Sequence, residues 1–280
     1  MRLRRSALYV PGSNSRALEK ARTLRCDVLI IDLEDAVAPE AKLAAREQAI
    51  AAVRSGGFAA AEVVIRVNGL DTEWGRDDLA AASMAQPSAI LLPKVESPDI
   101  LRESTALLAS AGRIELWAMI ETPRAMLRLD AIAASGAPLR CLIAGTNDLV
   151  KESGIEVGVE RRALLPGLFQ LVMAARAYGL AVLDGVYNDI DDLEGFSLQC
   201  RQAREFGFDG KTLIHPKQIE PCHTAFMPDA ASIEAARRII AAFADPANAG
   251  RGALRVDGRM VERLHLVQAQ RTLALAGRAD

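Results

Sequence analysis

Histidine, cysteine and aromatic residues are all scarce in this chain of 280 residues, which holds three histidines, four cysteines and only 4% aromatic side chains. The histidines, His215, His223 and His265, are scattered without an i, i+4 partner, so they do not make a zinc site. The cysteines, Cys26, Cys141, Cys200 and Cys222, form no C-x-x-C pair. Neither a zinc cluster nor a disulfide framework is indicated, and reduced thiols fit a cytoplasmic setting. Long apolar runs are absent too. The longest, such as Val28 to Ile31, fall far short of the ~20 residues of a membrane-spanning helix. The basic start is followed only by Ala7 to Val10 before Pro11-Gly12, so no export signal is expected. Charge of one sign is also missing: 34 basic and 36 acidic residues leave a net −2 with no block of either sign. Nucleic acid and anionic membrane are therefore not expected as partners.

What is present is half hydrophobic and a quarter charged, and a chain of this length buries roughly 70 to 75% of its unfolded surface without needing staples. Short aliphatic runs recur: Ala7 to Val10, Val28 to Leu33, Val63 to Val67, Ala89 to Leu92, Leu116 to Ile120, Cys141 to Ala144, Val182 to Val186 and Thr212 to Ile214. Stretches with helical spacing lie between them, including Ser15 to Leu24, Pro39 to Val53, Pro98 to Ala109 and Glu160 to Tyr178. Continuous apolar strands alternating with helices predict a parallel sheet under helices. Eight such units predict a TIM (β/α)8 barrel over residues 1–225. An open doubly wound sheet is the alternative, weakened by the lack of G-x-G-x-x-G after the first strand. Residues 226–280 read as a C-terminal helical extension, with helical spacing over Asp229 to Phe243 and Met260 to Ala276, placed to cover the barrel mouth or dock on a neighbouring subunit.

In such a barrel the chemistry sits where the strands end. The runs end in Asp32-Leu33-Glu34-Asp35, Arg66-Val67-Asn68, Pro93-Lys94, Glu121-Thr122-Pro123 and Gly145-Thr146-Asn147-Asp148. Glu121 and Asp148 can supply hard oxygens to Mg²⁺, which takes one or two carboxylates and keeps water and substrate as its other ligands. The same two positions also suit helix caps. Arg66 can clamp a substrate carboxylate in two-pronged geometry, or pair internally with Glu34 or Asp35. Lys94 can act as a Schiff-base nucleophile or as an ion-pair partner. His215 reads as holding backbone at the rim, and Asp184, Asp189, Asp191 and Asp192 as structural. The first loop offers a helix start with Arg16 and Lys20 to an anionic group such as a phosphate.

Taken in order, Leu8-Tyr9-Val10-Pro11-Gly12, Asp32-Leu33-Glu34-Asp35-Ala36-Val37, Arg66-Val67-Asn68, Leu92-Pro93-Lys94-Val95-Glu96, Ile120-Glu121-Thr122, Asp148-Leu149 and Ile214-His215-Pro216 resemble the citrate lyase β-subunit-like family. It lies within the HpcH/HpaI aldolases and acyl-CoA lyases. The resemblance runs from Leu8 to about Ala276, and the opening motif is most similar to the malyl-CoA and citramalyl-CoA lyase types. It implies a trimeric or hexameric TIM barrel that binds Mg²⁺ and makes or breaks a carbon-carbon bond beside a thioester. It further implies Glu121 and Asp148 as metal ligands and Arg66 as holder of the keto-acid carboxylate. Glu34 and Asp35 would orient Arg66 and metal-bound water, with Arg16 and Lys20 near the phosphates of coenzyme A.

Two positions depart from the family pattern. Asn147 stands where citrate lyases often carry Glu, and Glu262 stands where related enzymes carry an Asp over a neighbouring subunit's site. Glu262 is the expected catalytic acid, with altered reach. The expected function is a Mg²⁺-dependent lyase splitting a 3-hydroxy-3-carboxyl acyl-CoA into acetyl-CoA and pyruvate or glyoxylate. The alternatives are a citrate lyase β subunit acting on a citryl thioester of an acyl carrier protein, an aldolase for a free hydroxy-keto acid, and a non-catalytic CoA-ester-binding homologue.

Overall fold

Strands whose side chains are apolar on both faces need cover on both, and each aliphatic run of the chain becomes one such strand. The computed structural model describes residues 2–109, 112, 114–136, 138–158 and 160–277. In chain order the first unit runs β1 (Ser6–Pro11), α1 (Ser15–Ala21), β2 (Val28–Asp32), α2 (Lys42–Ser55), β3 (Glu62–Arg66), α3 (Gly75–Ala85), β4 (Ala89–Leu92) and α4 (Pro98–Leu107). It continues β5 (Glu115–Ile120), α5 (Pro123–Leu127), α6 (Leu129–Ala133), β6 (Leu139–Ala144), α7 (Thr146–Ser153), α8 (Leu165–Ala177), β7 (Ala181–Asp184), α9 (Leu193–Phe206), β8 (Gly210–Leu213) and α10 (Ile219–Phe226). The eight strands form a closed parallel barrel in sequence order, with β8 returning to β1 through Ser6 opposite Lys211. The (β/α)8 expectation is met, and every expected strand is found.

Alternation decides what faces the interior. Val28 and Ile30, Val64, Leu91, Trp117 and Met119, Ile143 and Leu183 pack into one cluster inside the barrel. The same parity carried two residues onward turns Asp32, Arg66 and Glu121 inward at the C-terminal end. The opposite end is closed by charge. Arg4 donates to both oxygens of buried Glu62 at 2.7 and 2.8 Å, reaches Glu115 at 3.3 Å, and lies 4.5 Å from the Trp117 ring centroid. Gly210 permits this closure, because a Cβ there would overlap the Arg4 carbonyl.

Outward from the barrel, Asp184 accepts from Arg161 and Lys211 at 2.8 and 2.7 Å. Burial works against its charge, but the two cations hold its carboxyl below the usual range. Asp192 caps α9 through the Gly195 N–H, and Asp189 accepts from the backbone of Asp191 and Asp192. All four cysteines are free and buried.

The second unit comprises Met1–Leu3 and Phe226–Asp280. It contains α11 (Ala230–Ala244), β9 (Ala253–Val256), β10 (Arg259–Glu262) and α12 (Arg263–Ala276). The expected helical extension is found in α11 and α12, and β9 and β10 add an antiparallel hairpin that was not expected. Its cause is the turn Asp257-Gly258, where both residues have positive φ, 50° and 78°. That is the pairing two-residue hairpin turns select. The helix expected from Met260 therefore starts at Arg263, after a strand.

Replacing Glu62 by Ala strands a buried guanidinium, with Glu115 left to meet it. The expected cost is about 3 kcal/mol of unfolding free energy, read from urea denaturation, and a loss below about 1 kcal/mol contradicts the assignment.

Candidate active site

The barrel register sets Asp32 directly opposite Arg66 on neighbouring strands. Arg66 donates from Nε and Nη2 to the two Asp32 carboxylate oxygens, 2.6 Å each. Its guanidinium also lies 4.9 Å from the Tyr9 ring centroid, and Nη1 is 3.6 Å from the Met119 sulfur. Glu34 Oε2 approaches Nη1 to 2.6 Å, yet makes no aligned hydrogen bond. Asp35 stands further out, 3.6 Å from Nη1, with its side chain 60% exposed.

The turn carrying these acids is fixed from below. Lys42 donates to the carbonyls of Leu33 and Glu34 and to Asn68 Oδ1, at 2.9, 2.8 and 2.8 Å. Asp32 itself accepts from the N–H groups of Glu34 and Ala36.

Glu121 ends β5 and is 1% exposed. Its Oε1 accepts from the Lys94 N–H at 2.7 Å, which Lys94 presents from a left-handed backbone with φ 47°. Gly145 is required beside it, since a Cβ there would overlap the Glu121 side chain, including Oε2. Glu121 caps nothing. Thr122 accepts from the Ala125 N–H and so starts α5. Asp148 sits in the first turn of α7, whose N-cap is Gly145, so it is not the cap either. The helix-cap reading of this carboxylate pair is corrected: Thr122 caps α5, Gly145 stands at the N-cap of α7, and neither acid caps a helix.

Electrostatics marks the same place. Burial pushes the Glu121 carboxyl up to about 8, with Glu34 and Asp148 adding to the rise against the Lys94 N–H and Arg66. Burial likewise lifts Glu34 to about 7, opposed by Arg66 and reinforced by Asp35 and Asp32. Asp32 stays ionised, because Arg66 overcomes its burial. For Lys94 burial is outweighed by Glu34, Asp148 and Glu121, which raise its ammonium. An amine nucleophile needs the reverse, so Lys94 is placed as a cation among acids and not as a Schiff-base former.

Arg66, Glu121 and Asp148 line one cavity of about 300 Å³, together with Tyr9, Asp32, Asp35, Met119, Thr146, Asn147 and Ile214 among others. The donor set fits Mg²⁺: hard carboxylate oxygens, in an acid cluster whose raised pKa values mark a shortage of positive charge. Among the described residues no group of three or more His, Cys, Asp or Glu is arranged to hold a metal.

The sequence-predicted residues divide plainly. Arg66, Glu34, Asp35, Glu121 and Asp148 come together at the C-terminal end of the barrel. Arg16 and Lys20 are exposed on α1 and do not line the cavity. Glu262 belongs to the second unit, where it is the N-cap residue of α12 and its N–H donates to His265 Nδ1. His215 Nδ1 accepts from the Lys217 N–H, a backbone role. Sequence reasoning missed Asp32 as the partner of Arg66, and missed Tyr9, Met119 and Lys42. The inward parity of Ile30 and Asp32 was the signal available for the first.

Residues 5–216 match the family of HpcH/HpaI aldolases and citrate lyases. The chain is 47% identical over 272 residues to a (3S)-malyl-CoA thioesterase of Cereibacter sphaeroides, covering 97% of this chain and 94% of the relative. It is 35% identical over 270 residues to citrate lyase subunit beta of Haemophilus influenzae, covering 94% and 93%. Among solved structures, protein CitE of Mycobacterium tuberculosis in complex with magnesium, acetoacetate and coenzyme A is 30% identical, with a TM-score of 0.82 and 98% of each chain covered.

A protonated carboxyl is a poor ligand, so if Glu121 is a ligand for Mg²⁺, binding there must release its proton. Mg²⁺ affinity measured by calorimetry is expected to rise roughly tenfold per pH unit toward neutrality and to level off near about 8; an affinity flat across this range contradicts the assignment. Gly145→Ala should weaken Mg²⁺ binding by at least about tenfold, because φ at Gly145 is an ordinary −88° but the added Cβ would overlap the Glu121 Cβ and Oε2 and displace that side chain; unchanged affinity contradicts the assignment.

Proposed function

Because the chain belongs to the HpcH/HpaI aldolase/citrate lyase family, we propose that it acts on a CoA thioester and cleaves the carbon-carbon bond of a 3-hydroxy-3-carboxyl acyl-CoA. The malyl-CoA and citramalyl-CoA types are the substrates in view, with acetyl-CoA and glyoxylate or pyruvate as products. One observation carries the reading: a carboxylate anchor, Arg66, and a pair of hard-cation ligands, Glu121 and Asp148, line the same small cavity. Both act on the hydroxy-acid end of such a substrate, where this bond breaks.

Glu121 and Asp148 would hold Mg²⁺, which when bound would supply Lewis-acid stabilisation of negative charge at the hydroxy-acid end of the substrate. Arg66, kept charged by Asp32, binds the neighbouring carboxylate and fixes its plane. Lys94 lends a further positive charge to the acid cluster, and Glu34 and Asp35 flank Arg66 at 2.6 and 3.6 Å. Met119, Val186 and Ile214 form an apolar part of the lining that excludes bulk water. Arg16 and Lys20, exposed on the first helix, are assigned to the phosphates of coenzyme A. Glu262 is assigned as the acid that returns a proton to the departing carbon; its supply by a neighbouring copy, in a trimer or hexamer, makes turnover depend on assembly. No helix among the described residues is long and apolar enough to cross a membrane, and four free cysteines support a cytoplasmic setting.

A second reading, hydrolysis of the thioester, is favoured by the relatives at 47% identity, which are named (3S)-malyl-CoA thioesterases. The citrate lyase β-subunit reading, with a carrier-protein thioester, draws on the 35% relative.

The reactions differ in their thiol. Purified protein with malyl-CoA or citramalyl-CoA and Mg²⁺ should give acetyl-CoA and keto acid in equal amounts without free thiol, and lose this activity in EDTA. Free CoA with the intact hydroxy acid establishes the thioesterase, and no release from either substrate favours the carrier-protein or binding readings. Arg66→Ala should lower kcat/KM by about 100-fold or more, the scale of a lost two-pronged charged contact; a change of only a few fold removes the clamp.

A further inference from the structure

A guanidinium has five N–H donors arranged on distinct edges. In Arg66 the edge formed by Nε and Nη2 is fully spent on Asp32, at 2.6 Å to each oxygen. The central carbon of the guanidinium lies over the Tyr9 ring, 4.9 Å from the ring centroid. With one edge forked and one face stacked, the group has no freedom to turn, and the donors left over are those at Nη1 and the outer one of Nη2. At Nη1 stands Glu34, close enough for charge attraction but with Oε2 left as a buried acceptor that no hydrogen bond satisfies. Such an acceptor carries its full desolvation cost without the compensating bond. One of the three remaining donors, on Nη1, is directed at the Met119 sulfur at 3.6 Å; a free carboxylate in the cavity is not tethered to the turn and can align with the other two, one on Nη1 and one on Nη2.

We propose that Asp32 is the positioning residue of the carboxylate anchor, presenting the outer edge of Arg66 to the substrate, and that the substrate carboxylate takes the place Glu34 holds at Nη1. The inference rests on the reading of Arg66 as a carboxylate binder. It differs from the expectation that Glu34 and Asp35 orient Arg66: the orienting contact is the fork to Asp32, and Glu34 is the occupant that leaves. The turn is built for the exchange. The backbone of Glu34 is pinned by its N–H to Asp32 and by its carbonyl to Lys42 Nζ, so the side chain can swing away while the main chain stays.

Asp32→Asn and Glu34→Gln test the two halves. Both keep the side-chain shape, and in Asp32→Asn the amide oxygen still accepts from one of the two turn N–H groups, Glu34 or Ala36, while the other loses its acceptor. Calorimetry with pyruvate and with glyoxylate, each with Mg²⁺, is run beside a separate titration with coenzyme A. Asp32→Asn should raise the keto-acid Kd roughly 10- to 100-fold, the scale of a lost charged fork, with the CoA Kd unchanged within about twofold. In turnover its KM should rise by a similar factor, with a smaller change in kcat. Glu34→Gln should leave the keto-acid Kd unchanged or lower it a few fold, because the competing charge is gone. Unchanged keto-acid binding in Asp32→Asn overturns the positioning role, and equal losses for keto acid and CoA do the same by pointing to a general structural defect. A tenfold or greater weakening in Glu34→Gln overturns the exchange. Wild-type protein that binds neither keto acid sinks the functional reading itself, a result distinct from wild-type binding that Asp32→Asn leaves intact.

Discussion

A guanidinium only 6% exposed at the end of a barrel strand is the constraint from which the rest of the site follows. Taking Arg66 out of water costs several kcal/mol unless its charge is met at close range. The chain meets it with Asp32 at once, and with Glu34 and Asp35 nearby. That concentration of acid needs its own support, which explains the buried Lys42 beneath the turn and the N–H groups of Glu34 and Ala36 turned onto Asp32. A positive centre fixed this firmly is suited to a carboxylate, which matches it in charge and plane.

The second acid group faces the opposite problem. Glu121 is buried as deeply as Asp32, but its nearest fixed donor is a backbone N–H and not a cation. Its carboxyl is accordingly pushed up to about 8, while that of Asp32 is held down. Two buried carboxyls in one mouth, shifted in opposite directions, mark one that is satisfied within the chain and one that is not. A divalent cation shared with Asp148, as proposed, would remove the imbalance. The family to which the chain belongs, and the magnesium present in the solved complex of CitE, agree with that chemistry.

The barrel was legible because each buried strand is written locally, as a run such as Val28 to Ile31 bounded by polar residues. The residues at strand ends were legible for the same reason, and Arg66, Glu121 and Asp148 could be picked from their positions alone. Pairing was not. That Arg66 takes Asp32, and that Glu34 is left without an aligned bond, depends on the cross-strand register, which no local pattern encodes. The hairpin of the second unit was overlooked although Asp257-Gly258 is a strong turn signal, because its strands, Ala253–Val256 and Arg259–Glu262, are short and interrupted by arginine. The role proposed for Glu262 lies beyond local reading as well, since it would turn on assembly with a second copy.

The central claim is that a hard cation and a substrate carboxylate meet in this cavity on opposite kinds of charge. Crystals grown with Mn²⁺ in place of Mg²⁺ and soaked in pyruvate test it most directly, because manganese is visible by anomalous scattering. The account predicts an anomalous peak bounded by the Glu121 and Asp148 carboxylates, with the pyruvate carboxylate on the outer edge of Arg66. Manganese bound elsewhere, or pyruvate bound away from Arg66, would contradict it.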